Sequence, residues 1–232
     1  MLNVICLKHG IKYGPEYVNN LYNMIQRHLT VPHRFICFTE NADDLNPLIE
    51  IRALPKNNKL SGWWWKPYLF KQGHFDQDDV NLFFDLDMVI IKNIDNIAQY
   101  LPNHFVGLQD VGRVFKRGPD RLGSAVLKWP ANQFSDIWDR LESNPQYSTQ
   151  FHGDQDYIWC FHKDNIKFFP EKWIMSYKWE VRDRSELIRI NGRFNFNTVK
   201  DVKTDLDTSV LAFHGSPDPH EVKDPIIIDN WQ

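Results

Sequence analysis

The sequence predicts an α/β fold: a mixed sheet of substantial parallel character, flanked by helices. Three observations predict it. Short apolar runs alternate with helix-period segments through the first 84 residues. No repeat or low-complexity linker divides the 232 residues, which favours one domain. The chain is 42% hydrophobic and 14% aromatic, enough to bury a substantial core.

Residues 3–7 read as a buried first strand, and a glycine-bearing loop follows, Lys8-His9-Gly10-Ile11-Lys12-Tyr13-Gly14. From Pro15, suited to a first helical turn, Tyr17, Leu21, Met24, Ile25 and His28 recur at helical spacing. Residues 34–38 and 48–53 are β runs, and Ser61-Gly62 opens an aromatic helix over 63–70. Residues 80–84 close this half as a strand. Beyond it, 105–108, 124–128, 166–169 and 209–213 read as strands, and 132–142 and 154–163 as helices. Residues 173–197 mix aromatics, charges and asparagine without a clear period. In such folds ligands gather beyond the carboxyl ends of the strands. The loop after Leu7, the pair Asp85/Asp87 and the segment after Phe213 fall at such ends.

Bulk properties exclude several classes. A net charge of −3 with no long basic block argues against nucleic acid. The apolar start is too short for a signal peptide and is interrupted by Asn3, and no window of about 18 apolar residues offers a membrane span. Cys6, Cys37 and Cys160 lie in apolar segments without CxxC spacing, as reduced core residues of a cytoplasmic protein would.

The chemistry concentrates in Leu82-Phe83-Phe84-Asp85-Leu86-Asp87-Met88-Val89-Ile90-Ile91, two aspartates in an apolar run. Burying a carboxylate costs several kcal/mol unless a cation or a good hydrogen-bond set meets it. The flanks supply none, since the next basic residue is Lys92. On an extended backbone both carboxylates point the same way, a seat for a divalent cation. Strand-end aspartates facing water are the plainer alternative. His214 follows an apolar strand and precedes a Gly/Pro turn. An Asp, Asp, His set suits Mn²⁺, and oxygen ligands alone suit Mg²⁺ or Ca²⁺. Asp154 and Asp156 precede an apolar helix, where they serve its first turn and leave catalysis open. Lys66, between three tryptophans and Pro67, is expected to project from a fixed surface, where it could meet a diphosphate.

Five segments in order resemble the GT-A glycosyltransferases, in particular the glycogenin-like and bacterial lipopolysaccharide galactosyltransferase-like members. Phe83-Phe84-Asp85-Leu86-Asp87-Met88-Val89-Ile90 looks like their DxD segment, and Trp65-Lys66-Pro67-Tyr68-Leu69-Phe70 like the helix before it. Gly123-Ser124-Ala125-Val126-Leu127 is similar to their NSGVML strand, with Leu122 and Ala125 replacing Asn and Gly. Gly153-Asp154-Gln155-Asp156 matches GDQD, and Phe213-His214-Gly215 falls where they carry a C-terminal metal-binding HxxGxxKPW. Asp218 stands near the place of the lysine that meets the donor diphosphate; Lys8, Lys12, Lys223 and His220 are candidate substitutes.

The resemblance implies a GT-A fold, a Rossmann-like nucleotide-diphospho-sugar transferase. Residues 1–100 would form its nucleotide-binding half, and residues 101–232 its acceptor side and metal-binding segment. Leu7, Lys8, His9 and Tyr13 would cradle base and ribose, with Lys66 and Gly215 also on the donor. Asp85, Asp87 and His214 would hold Mn²⁺ or Mg²⁺. The donor would be a UDP-sugar or a GDP-sugar, and the acceptor a carbohydrate or glycoconjugate in polysaccharide biosynthesis, with peripheral membrane contact compatible. Asp154, Gln155 and Asp156 would be catalytic, with retention if Asp154 or Gln155 lies below the anomeric carbon, or inversion if Asp154 or Asp156 is a base. Trp138, Trp173, Tyr177 and Trp179 could stack on the acceptor or pack in the core. Two rivals share the DxD segment. A haloacid-dehalogenase-like phosphatase would use Asp85 as nucleophile and Asp87 as acid, with Mg²⁺ on Asp154/Asp156; a non-catalytic sugar- or nucleotide-binding protein would keep the fold alone.

Overall fold

A computed structural model describes residues 1–56, 60–110 and 121–232. The first strand, β1 (Leu2–Lys8), leads into helix α1 (Pro15–His28), then β2 (His33–Thr39) and β3 (Glu50–Ala53). A 3₁₀ segment, Gly62–Phe70, precedes β4 (Val80–Phe84), β5 (Met88–Ile90) and α2 (Asp95–Gln99). Then come β6 (Phe105–Gln109), β7 (Leu122–Pro130) and helices α3 (Asp136–Ser143), α4 (Tyr147–Gln150) and α5 (Asp154–His162). Strands β8 (Ile166–Phe168), β9 (Ile174–Ser176), β10 (Leu187–Ile190), β11 (Arg193–Phe196) and β12 (Val210–Ala212) follow, and α6 (Pro225–Ile228) lies near the end.

Seven strands form the main sheet in the order β3-β2-β1-β4-β7-β6-β8. Only β7 runs against its neighbours β4 and β6; the other pairings are parallel. Side-chain alternation divides the core between its faces. Val4, Cys6, Leu82 and Phe84 pack with α1 on one face. Ile5, Phe83, Leu127 and Trp129 pack with the 3₁₀ segment, α3 and α5 on the other. From β1 the chain winds outward through β2 to β3, whereas β4 lies on β1's other side. The carboxyl ends of β1 and β4 therefore flank the switch point where open α/β sheets bind ligands.

Several expectations change. Asp85 and Asp87 do not share a strand: β4 ends at Phe84 and the chain turns over residues 85–87. The Asp85 N–H still donates to the Ala125 carbonyl at 2.8 Å. After Leu86 enters the core, the chain leaves for a second sheet ordered β5-β12-β9. The helix expected over 132–142 begins only at Asp136, because Asn132 and Phe134 take left-handed φ values of 58° and 65°. The aromatic helix is 3₁₀, with Pro67 inside it lacking an N–H for the ladder. Cys160 is exposed: α5 buries Asp154, Tyr157, Ile158 and His162, which leaves position 160 on the opposite face. Cys6 and Cys37 are free and buried, side by side on β1 and β2.

Candidate active site

A cleft of about 1030 Å³ opens over the switch point. Ten of the sequence-predicted residues line it: Leu7, His9, Tyr13, Lys66, Asp85, Asp87, Asp154, Gln155, His214 and Gly215. Lys8 instead lines a neighbouring pocket of about 430 Å³ that shares Tyr13. Asp156, on the first turn of α5, is not among the cleft residues.

Lys66 overturns two expectations. It is buried, not projecting, and it is the cation the flanks of the two aspartates lack. Its Nζ donates to Asp85 Oδ2 at 2.9 Å and to the Ser124 carbonyl and Oγ at 3.1 Å each. It lies 3.7 Å from Asp154 Oδ2, an oxygen that accepts no hydrogen bond among the described residues. Burial opposes the ammonium, but Asp154 and Asp85 outweigh that cost and raise its pKa. One lysine thus ties the aromatic segment, the turn after β4, β7 and the start of α5 into one wall.

Asp87 is compensated differently. It is 7% exposed, and among the described residues no basic group lies within ion-pair distance of it. Tyr13 Oη donates to its Oδ2 at 3.0 Å, and Lys12 Nζ in turn donates to Tyr13 Oη at 2.5 Å. Burial, then the like charge of Asp85, push Asp87 from 3.8 up to about 7. The same burial and carboxylates raise the Tyr13 pKa, so the phenol stays protonated as donor.

The opposite wall is the turn after β12. His214 Nε2 and Ser176 Oγ are 2.6 Å apart, and the Trp179 ring meets the imidazole edge-on at 4.7 Å. Burial, helped by Lys178, lowers His214 to about 4, so the imidazole is neutral near pH 7 and keeps a lone pair for a ligand. Lys178, one charge among several in its stretch of sequence, carries no local signal there. Its buried ammonium donates to the carbonyls of His214 and of Ser216, the latter at 2.8 Å, and pins the turn. Burial lowers it to about 8. Gly215 takes φ +66°, and a side chain there would sit 3.8 Å from Lys178 Nζ, so glycine suits the turn. Asp218 is taken up elsewhere, 2.8 Å from Arg193 and in a capping box with Glu221.

Among the described residues no three His, Cys, Asp or Glu side chains converge at metal-ligand spacing. The donor set nevertheless fits a divalent cation in part. Asp87 is a buried carboxylate without an ion pair, Asp85 adds a second, and neutral His214 lines the same cleft.

Of the four aromatics considered for an acceptor, Trp138 and Tyr177 are core, and Trp173 packs against the core. Only Trp179 reaches the cleft, joined there by Trp63. Three successive tryptophans on a helical turn cannot all face one way, which was the available signal for Trp63.

This architecture recurs in solved glycosyltransferases. The chain superposes on GlyE of Streptococcus pneumoniae with TM-score 0.65 and 10% identity, covering 97% of this chain and 58% of GlyE. An active-site mutant of LgtC gives 0.64 at 13% identity, covering 94% and 89%. LgtC, described as a galactosyltransferase in complex with donor and acceptor sugar analogs, gives 0.61 at 13%, covering 94% and 88%. The fold is that of the GT-A glycosyltransferases. No family model and no curated protein sequence matches the chain. This chain spans little more than half the length of GlyE. The GT-A fold removes the main support of the phosphatase alternative, which would begin its fold with the Asp85 strand; here β4 is the fourth strand. Among the described residues no helix is long and apolar enough to cross a membrane.

Proposed function

We propose that this protein is a metal-dependent glycosyltransferase that moves a sugar from a nucleotide-diphosphate donor to a carbohydrate or glycoconjugate, with retention. The observation that carries the reading is Asp87: a buried carboxylate with no ion pair among the described residues, raised to about 7, at the switch point of a GT-A sheet. Such a group asks for a cation.

Asp87, Asp85 and His214 would hold Mn²⁺ or Mg²⁺, which when bound offsets the negative charge growing on the departing nucleoside diphosphate. The loop over His9–Tyr13 takes base and ribose of the donor, UDP in preference to GDP. Of the lysine substitutes weighed for the diphosphate, Lys12 alone lines the cleft. Lys8 faces the smaller pocket, and His220 Nδ1 lies 2.5 Å from Tyr17 Oη. Lys66 holds Asp85 and Asp154 in place. Retention is supported by what α5 does with its carboxylates. Asp154 lines the cleft but lies 3.7 Å from the Lys66 ammonium, and Asp156 is not among the cleft residues, which disfavours either as a base for an incoming hydroxyl. Gln155 faces the cleft and is held by its amide on Asp110 Oδ2 at 2.9 Å.

A panel of UDP- and GDP-sugars with Mn²⁺, read by melting shift and slow donor hydrolysis, tests this. A UDP-sugar should raise the melting temperature only with the metal, and NMR should show the released sugar first in the donor's anomeric form. No shift with any donor overturns the transferase reading; the opposite anomer overturns retention. Donor binding with neither hydrolysis nor transfer favours the non-catalytic alternative.

A further inference from the structure

We infer that Trp63 is a stacking platform for the acceptor and that the acceptor presents a neutral hexopyranose with an apolar C–H face. The inference rests on the transferase reading for the word acceptor, and on Trp63 itself for the sugar. Trp64 and Trp65 are 7% and 2% exposed, anchored in the core beneath the sheet, whereas Trp63 between them and Gly62 is 54% exposed. Isolated exposed apolar side chains are ordinary on convex surface. Trp63 is instead on the wall of the main cleft.

Its five-membered ring lies over Gly153, where even a methyl group would touch Nε1 at 3.5 Å. Gly153 precedes Asp154 and Gln155, so the open remainder of the indole adjoins the segment proposed to act at the anomeric carbon. The two tryptophans that follow it are buried and anchor the segment that carries the indole, and an aromatic ring has few rotors to lose when a ligand stacks on it. The C–H face of a pyranose complements such a ring, while its hydroxyls need polar partners. Lys172 and Glu180 line the same cleft and can supply them. A serine or threonine acceptor on a peptide would offer no flat apolar face to Trp63.

Saturation-transfer NMR with methyl β-D-galactoside and methyl β-D-glucoside, in the presence of UDP and Mn²⁺, tests this on the full chain. At least one glycoside should show its axial ring protons most strongly saturated, and Trp63→Ala should weaken its binding about tenfold. Trp63→Phe should recover most of the loss, and sorbitol should give no signal. The UDP/Mn²⁺ melting shift of Trp63→Ala should equal that of wild type. If neither glycoside binds wild type, or Trp63→Ala binds it equally well, the platform is overturned. Loss of the UDP shift instead assigns Trp63 to the nucleotide base and also overturns it. A wild type that binds glycoside but no nucleotide overturns the transferase reading and leaves the sugar platform standing.

Discussion

The two walls of the cleft solve the same electrostatic problem in opposite ways. On the Lys66 wall, the two carboxylates Asp85 and Asp154 share one buried ammonium that also donates to Ser124, although burial still raises the Asp85 pKa. On the facing side, Asp87 is pushed up to about 7, His214 down to about 4 and Lys178 down to about 8, each by burial first. The first wall is a scaffold whose carboxylates meet a cation of the chain itself. The second holds its groups at a cost that a bound cation and donor would relieve, which is how a binding surface differs from a structural ion pair.

Disrupting the Asp87 side should affect activity most. Asp87→Asn should lower transfer by about 10²–10³-fold, the usual loss when a group stabilising transition-state charge is removed. It should also abolish the Mn²⁺-dependent melting shift. Unchanged activity would break the contrast outright. Lys66→Met should act first on stability. It strands Asp154 without its cation, and breaking a buried pair costs about 3 kcal/mol, readable by urea denaturation. A loss no larger than that of a surface lysine would show that this wall is not a scaffold.

Lys178→Met should leave the fold intact but loosen the His214 turn. Groups that orient a metal ligand typically contribute about tenfold or more in affinity, so isothermal titration of Mn²⁺ should weaken by about that factor. The smallest effect is on pH. The folded pKa of Asp87 lies above its ordinary 3.8, so the folded protein holds that proton more tightly than the unfolded chain. Its stabilisation is complete below about pH 4 and is lost as pH rises through 7. With metal removed by chelation, melting should therefore fall between pH 5 and 7.5, and Asp87→Asn should flatten that fall. A metal-free protein insensitive to this change would place Asp87 in a more polar setting.

Much of the first hundred residues was legible. Their strands are short apolar runs, and α1 has a clean helical period, so local pattern and tertiary burial agree. The region 173–197 was opaque because it has no period: β9 is three residues long and a π-helical turn, Tyr177–Val181, follows it. Its one strong local signal was Asn191-Gly192, both at positive φ between β10 and β11, as a type I′ hairpin requires. Of the cleft residues, Asp85 and Asp87 stand out in the sequence as carboxylates in an apolar run, His214 follows an apolar strand, and Gln155 is marked only by the family resemblance. Lys178 and Trp63 do not stand out, since a lysine among charges and a tryptophan among tryptophans look ordinary in one dimension.

The amino-acid sequence by itself determined the α/β alternation, the two carboxylates at the end of β4 and the order of the five segments, because each depends on neighbours along the chain. Only the tertiary structure decided how those charges are met. Lys66 lies 19 residues from Asp85 and Lys178 36 residues from His214. A pairing across such distances depends on where sheet and turns bring the chain together. Asp85, with no basic residue in its flanks, meets Lys66 of the 3₁₀ segment; Asp87 pairs with no basic group among the described residues.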